Sequence, residues 1–260
     1  LLTLPQVIAT PHLGASTVEA QESVAVDVSN DIIKFFKTGT VTNPVNMPSI
    51  PKEKLAEVEP FFALAEKLGT FLIQVSEGTV KELNISYAGE VANYDVRPLT
   101  ANAIKGLLST NHGTHVNDVN ARYLAERVGI KINEHKTTTA KGFTNLVTVE
   151  VKTEKETHSV AGTLLNGLGA RIVKVEGFVV DVKPEGNYLY IKNQDKPGSI
   201  GRVATKLAES NINIATMQVG RDEVGGSAIM MLGIDNNVTA QDLAVVATLE
   251  NIDEVKSITL

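Results

Sequence analysis

The chain has 260 residues, 43% of them hydrophobic, which is enough apolar material for one large domain or two to three small ones with real cores. A net charge of -6 with only 5% aromatics gives neither the basic surface nor the stacking platforms that nucleic acids or anionic membranes require. The absence of cysteine excludes disulfides, thiolate catalysis and cysteine-based zinc sites, and it suits a reducing, cytoplasmic setting. No apolar run is long enough to span a membrane, and the N-terminus lacks the three regions of a signal peptide. A first residue other than Met reads as a fragment or a processed product.

In chain order, Gln6 to Ala9 is a short apolar stretch expected to be a strand. It runs into Thr10-Pro11-His12-Leu13-Gly14-Ala15-Ser16 and then into a long helix. Ser16-Thr17-Val18-Glu19 reads as a capping box, Ala20, Val24, Val28, Ile32 and Phe35 or Phe36 recur at helical spacing, and Gly39 suits a C-cap. His12 therefore falls in a loop between strand end and helix start, where a scaffold can present a catalytic side chain, although a lone loop histidine is otherwise a surface residue. Thr40 to Pro51 holds three prolines and no sustained period, and reads as a linker.

From Lys52 to Asp181 a second unit mixes helix and strand. Pro60 reads as the first residue of a helix carrying Phe61, Leu64, Ala65 and Leu68, and Leu83, Ile85 and Tyr87 alternate as a strand. Two helices are expected around Asn102 to Leu108 and Asn120 to Val128. Strands follow at Ile130 to Lys136, Leu146 to Lys152, Thr157 to Gly162, Arg171 to Val175 and Phe178 to Val182, with Glu154-Lys155 as a hairpin turn and one covered face. His112, His115 and Asp118 are metal-ligand types in a polar loop without the spacing of a zinc helix, so no metal site is assigned.

The last stretch reads as βαββαβ. Tyr188 to Asn193 is a half-buried strand, and Asp195-Lys196-Pro197-Gly198 is turn chemistry. Ile200 to Ala208 recurs at helical spacing until Asn211. Ile212 to Val219, Ser227 to Ile234 and Val255 to Thr259 are strands, and Gln241 to Leu249 is a helix; the order is that of a ferredoxin-like unit. The loop after its first strand leaves the amides of a helix N-terminus for an anion, with Gly198 clearing the approach. Asp195 can take an ammonium group, and Asn193 and Asn213 offer amides. Carboxylate plus ammonium describes a free amino acid; equally, Asp195 and Asn213 are usual turn residues.

Two resemblances add to this. D-K-P-G followed by N-I-N-I resembles the ACT regulatory domain, which implies an amino-acid effector held by Asn193, Asp195, Pro197, Gly198 and Asn213, commonly across a side-by-side pair of copies. T-P-H-L-G-A-S-T-V-E-A-Q resembles the active-site loop of the D-2-hydroxyacid dehydrogenases and, within them, the D-3-phosphoglycerate dehydrogenase family. That likeness implies His12 as acid/base, Gly14 and Ala15 near the nicotinamide of NAD, and L-serine as effector. Thr40, Asn43, Val45, Asn46 and Pro48 match the family's pattern at the end of the catalytic core. The middle unit resembles the intervening, allosteric substrate-binding domain, which implies an anion site at Arg171 and Lys183, with Val179 at a third position.

The expected fold class is therefore α+β: a catalytic-core segment over 1–48, an intervening domain over 49–183 and an ACT domain over 184–260. No G-x-G-x-x-G occurs, so the N-terminal catalytic domain is expected to be a missing partner, NAD is expected not to bind this chain alone, and the chain by itself should be inactive. The expected partners are L-serine or another small amino acid and further copies of the chain as homodimer or homotetramer. A free-standing amino-acid sensor of ACT type is the alternative.

Overall fold

The computed structural model describes residues 3–38, 52–112 and 115–260, and the chain divides into two compact units, Leu1–Ser49 and Ile50–Leu260. In the first, α1 spans Val18–Thr38. Its cap is Thr17, whose hydroxyl accepts the Ala20 amide at 3.2 Å, rather than Ser16. The apolar stripe forms as expected, but no residue of α1 is buried, and Val24, Val28 and Ile32 each stand about half exposed. Gln6 to Ala9 is turn and extended chain rather than a strand. A strand needs a neighbour for its ladder, and none lies beside it among the described residues. The Gly39 cap and the linker to Pro51 lie outside the described residues.

The second unit opens with α2, Lys52–Val75, with Pro60 inside it and not at its start. The helical face continues through the proline: Val58, Phe61, Leu64, Ala65, Leu68, Leu72 and Val75 are all buried. Pro60 removes only the hydrogen bond to Ala56 O, on a side where both residues are exposed and water can serve the carbonyl. Then come β1 (Val80–Gly89), a short 3-10 turn (Glu90–Asn93), α3 (Arg97–His112), α4 (Ala121–Arg127) and β2 (Lys131–Thr137). α3 is longer than the expected Asn102 to Leu108. The strands β3 (Asn145–Thr153), β4 (Thr157–Leu165), β5 (Gly169–Val175) and β6 (Phe178–Val182) complete a six-stranded sheet in the order β2-β1-β3-β4-β5-β6. β1 and β2 are parallel, as the helical crossover between them requires; β1 pairs antiparallel with β3, and β3 to β6 follow as antiparallel hairpin neighbours.

α2 and α3 cross with their backbones nearly touching. A Cβ built on Gly69 would lie 2.0 Å from Ala103 O, and one on Gly106 would lie 1.9 Å from Glu66 O. Only glycine fits either position.

The C-terminal sheet is built from β7 (Asn187–Gln194), α5 (Ser199–Glu209), β8 (Ile214–Arg221), β9 (Ser227–Ile234), α6 (Ala240–Ala247) and β10 (Ile252–Thr259). Its order is β10-β7-β9-β8, the ferredoxin-like arrangement. α5 ends two residues before Asn211. There Asn211 takes φ 56°, its amide bonds Ala208 O at 3.0 Å, and the Ile212 amide bonds Leu207 O at 2.9 Å, a Schellman stop. α6 starts at a true capping box of Thr239 and Asp242.

β7 is not half-buried, as its pattern suggested, but buried on both faces from Tyr188 to Ile191. One face carries Leu189 and Ile191 into a core with Val203, Leu207, Met230, Leu232 and Val246, under α5 and α6. The other carries Tyr188 and Tyr190, with Ile229, Met231 and Ile258, into the same core as α2 and the six-stranded sheet. Phe71 meets Tyr190 edge-on with ring centroids 6.4 Å apart. Gln74 donates to Thr259 O at 3.0 Å and accepts from Thr259 N at 2.9 Å, so a side-chain amide closes the edge of β10 as another strand would.

Candidate functional site

The loop from β7 to α5 is organised by its backbone. The Asp195 amide bonds Gly226 O at 2.8 Å, Lys196 N bonds Gln194 O at 2.8 Å and Ser199 N bonds Lys196 O at 3.2 Å. Gly198 takes φ 87° as the residue before α5, a conformation that disfavours any Cβ, and no side chain caps the helix. The amides of Ile200 and Gly201 are left without a protein acceptor at the positive end of the helix dipole.

Beneath this loop Asn193 shares a face with Leu189 and Ile191 and is 2% exposed. Its Nδ2 donates to Gln194 O at 2.8 Å, while its buried Oδ1 has no partner. Arg202, one turn into α5, reaches Glu250 O at 3.5 Å through Nη2 and leaves a buried Nε unpartnered. An orphan acceptor, an orphan donor and two free amides thus converge on one loop, and each costs free energy until something pairs with it. A small zwitterion has the matching groups.

Asp195 is less free than its sequence position suggested. Its Oδ2 accepts Arg221 Nη1 at 2.8 Å and Gly225 N at 3.3 Å, and the Arg221 hydrogen bond chiefly holds the carboxyl below the usual carboxylate range. Oδ1 remains open to an ammonium group. Arg221 escapes sequence reading because only the register of β7, β9 and β8 brings it beside Asp195.

Asn213 is not brought to this loop. Gln194 pairs with Ser227 while Asn187 pairs with Ile234, and it is Ile234 that pairs with Ile214. Asn213 therefore sits at the far end of the sheet, roughly 20 Å away by strand length, with its amide on Asp235 at 2.6 Å. β8 has β9 on one side only, and among the described residues its outer edge pairs with nothing.

Arg171 and Lys183 do come together, because Ile172 pairs with Val182, but each is already matched. Arg171 Nε lies 3.1 Å from Asp181 and Lys183 Nζ 2.6 Å from Glu185. Val179 pairs with Lys174 at the other end of β6 and points to solvent. His12, Gly14 and Ala15 are exposed in a turn closed by Ser16 N on Leu13 O at 3.1 Å. The described part of that unit is one loop and one helix without a strand. The His112 side chain lies outside the described residues, and no metal-holding group of His, Cys, Asp or Glu occurs among those described. No described helix is long and apolar enough to cross a membrane.

With this geometry in hand, the comparisons with known proteins are specific. Residues 57–176 match the family model of the D-3-phosphoglycerate dehydrogenase intervening domain, and residues 187–251 match that of the ACT domain. D-3-phosphoglycerate dehydrogenase of Bacillus subtilis is 38% identical over 260 residues, covering 100% of this chain and 49% of the relative. That of Methanocaldococcus jannaschii is also 38% identical, over the same shares of each chain. A chloroplastic D-3-phosphoglycerate dehydrogenase of Arabidopsis thaliana is 34% identical over 95% of this chain and 45% of its own length. The chain spans about half the length of the curated relatives it matches.

Proposed function

Since the chain belongs to the D-3-phosphoglycerate dehydrogenase family, as the C-terminal portion that carries its intervening and ACT domains, we propose that it is the regulatory half of such an enzyme. The full enzyme would oxidise 3-phosphoglycerate to 3-phosphohydroxypyruvate with NAD for serine biosynthesis. His12 would serve there as acid/base, Gly14 and Ala15 would lie near the nicotinamide, and the chain by itself would be inactive. Mixing it with 3-phosphoglycerate and NAD is expected to produce no NADH absorbance above background; turnover would overturn this reading.

The ACT loop is the proposed effector site, with L-serine as its ligand. The observation that carries it is the buried, unpartnered Asn193 Oδ1 beside an uncapped helix N-terminus. Asp195 Oδ1 would take the ammonium, the amides of Ile200 and Gly201 the carboxylate, and Asn193 the hydroxyl. Asn213 would join from a second copy. Antiparallel pairing of two β8 edges sets the start of one strand beside the end of the other, which carries the second copy's Asn213 toward Arg221 and Asp195. Arg171 with Lys183 is the proposed anion site, which an anion would open by displacing Asp181 and Glu185. Occupancy alone would not regulate: serine must bind one arrangement of the oligomer more tightly than another.

Calorimetric titration with L-serine, glycine and L-alanine tests the effector reading. Serine is expected to release heat and, at a hundred times its dissociation constant, to stabilise the chain by about 2.7 kcal/mol. Lys183→Ala should leave that binding unchanged. No heat and no melting shift at millimolar serine would sink it.

A further inference from the structure

Away from the effector loop, a buried histidine stands between two carboxylates where the intervening domain meets the ACT sheet. His158, on β4, is 6% exposed. Its Nδ1 lies 3.0 Å from Glu176 Oε1, and its Nε2 approaches Glu156 Oε1 to 3.1 Å, an ion-pair contact without hydrogen-bond alignment. Glu156 belongs to the turn between β3 and β4. Glu176 belongs to the turn between β5 and β6, where it and Gly177 both take positive φ, the two-residue form that reverses a hairpin tightly.

Each of these turns reaches the ACT sheet. Glu156 Oε1 accepts the Glu77 amide at 2.6 Å, and the Glu77 carboxylate in turn takes Lys256 of β10 at 2.6 Å. On the other side, Phe178, next after the Glu176-Gly177 turn, packs against Gly220 of β8 so closely that a Cβ there would lie 2.8 Å from Phe178 Cβ. His158 is thus the point at which two turns that, beside α2, contact the regulatory sheet are joined.

The charges around it show what its proton does. Glu77 comes from the end of α2, Lys155 and Glu156 from the β3–β4 turn, Glu176 from the β5–β6 turn, and Glu254 and Lys256 from β10. Tyr190 of β7 is buried nearby with its hydroxyl unpartnered, and burial raises its pKa. These four carboxylates face two ammoniums, so the imidazolium is the third cation. Without its proton, Glu156 and Glu176 confront each other across a neutral ring in a site with little water.

We propose that His158 is a proton-dependent tie between the intervening domain and the ACT sheet: protonated, it holds together the two turns that grip that sheet, and deprotonated, it releases them. This is tested apart from the effector reading, since none of His158, Glu156 and Glu176 belongs to the Asp195 loop, although the β5–β6 turn meets β8 at Gly220.

The direction of the pH effect follows from the environment. The hydrogen bond to Glu176 raises the pKa of His158 above the ordinary 6.5, against the opposing cost of burial, with the remaining attraction of Glu176 and Glu156 adding to it. A raised value means that the tie contributes its full stability below 6.5 and loses it as pH rises through the folded-state value. The Lys256 hydrogen bond lowers the pKa of Glu77. Burial works against the charge on Lys256, but its bond to Glu77 and the surrounding carboxylates outweigh that and raise its pKa. Both stay charged while His158 titrates.

Two measurements on the whole chain test this. An NMR titration should place the His158 imidazole pKa above 6.5, and at or below the ordinary value the proposal fails. Amide exchange corrected for intrinsic rates should show protection at Lys256 and Thr259 falling several-fold from about pH 6 to about pH 8.5, relative to the amides of α3. In His158→Gln that pH dependence should vanish, with protection fixed at the low level. Equal protection at both pH values, or an unchanged pH dependence in His158→Gln, would overturn the tie. If His158→Gln does not fold, the titration and the pH series of the parent chain decide, with Glu176→Gln as second variant, in which the imidazole pKa should fall.

Discussion

Gly69→Ala and Gly106→Ala should each destabilise the chain by roughly 2 to 4 kcal/mol, although alanine is the better helix former by about 1 kcal/mol. The sign turns on what the new methyl meets. At Gly69 it would lie 2.0 Å from Ala103 O and 2.9 Å from Leu107 N, and at Gly106 1.9 Å from Glu66 O and 2.9 Å from Thr70 N. All four are backbone atoms that cannot turn aside, so α2 and α3 must move apart by more than an ångström, pulling Leu68, Leu72, Ala103 and Leu107 out of close packing. Gly201→Ala on α5 is the opposite case: its Cβ meets nothing within 4 Å, and the same change should stabilise by up to about 1 kcal/mol. Urea unfolding of the three variants measures both signs. A Gly69→Ala midpoint equal to or above that of the parent chain would refute the backbone contact.

Asp195→Ala and Asn213→Ala should each abolish most serine binding alone and restore part of it together, when the two variants are co-expressed. Removing the Asp195 carboxylate takes away the charged partner of the ammonium and should weaken binding about tenfold to a hundredfold. Because the two residues lie at opposite ends of the sheet, one chain cannot bring both to one ligand. A pair joined through β8 can. In a mixed pair one site then has both residues intact and the other has neither, so about a quarter of all sites should recover full affinity. Titration of the mixture counts those sites, and sedimentation at tens of micromolar should show species heavier than the 27.8 kDa chain. A purely monomeric chain, or a mixture no better than its components, would dispose of the shared site.

In the proposed effector site, Asp195 would meet the ammonium with its free carboxylate oxygen while Arg221 stays on the other. Arg221 and the Gly225 amide occupy Oδ2 and fix the carboxylate in its charged form, so it is oriented before any ammonium arrives.

Much of this was legible in the residues because the signals are short-ranged. Asp195-Lys196-Pro197-Gly198 specifies a turn with a left-handed glycine, the alternation in β1 and β3 specifies strands, and so does the short continuous apolar run of β9. The order βαββαβ reads as a ferredoxin-like unit, and the sheet order β10-β7-β9-β8 is the one such a unit has. Such features depend on dihedral preferences and on hydrogen bonds within one turn of chain, which the sequence alone determines.

The tertiary structure decided whatever depends on residues distant in the chain. Pro60 reads locally as a helix start, yet burial of Val58 and Phe61 on one face carries α2 straight through it. Gln6 to Ala9 has the composition of a strand, but composition cannot supply the neighbouring ladder. Tyr188 and Tyr190 look like the solvent side of a strand, and only the docking of α2 on the sheet buries them. The partners Arg221 for Asp195 and Glu176 for His158, and the separation of Asn213 from the loop it was expected to join, follow from strand register. Register is fixed by the summed burial of whole strands and helices, and no short stretch of residues contains that sum.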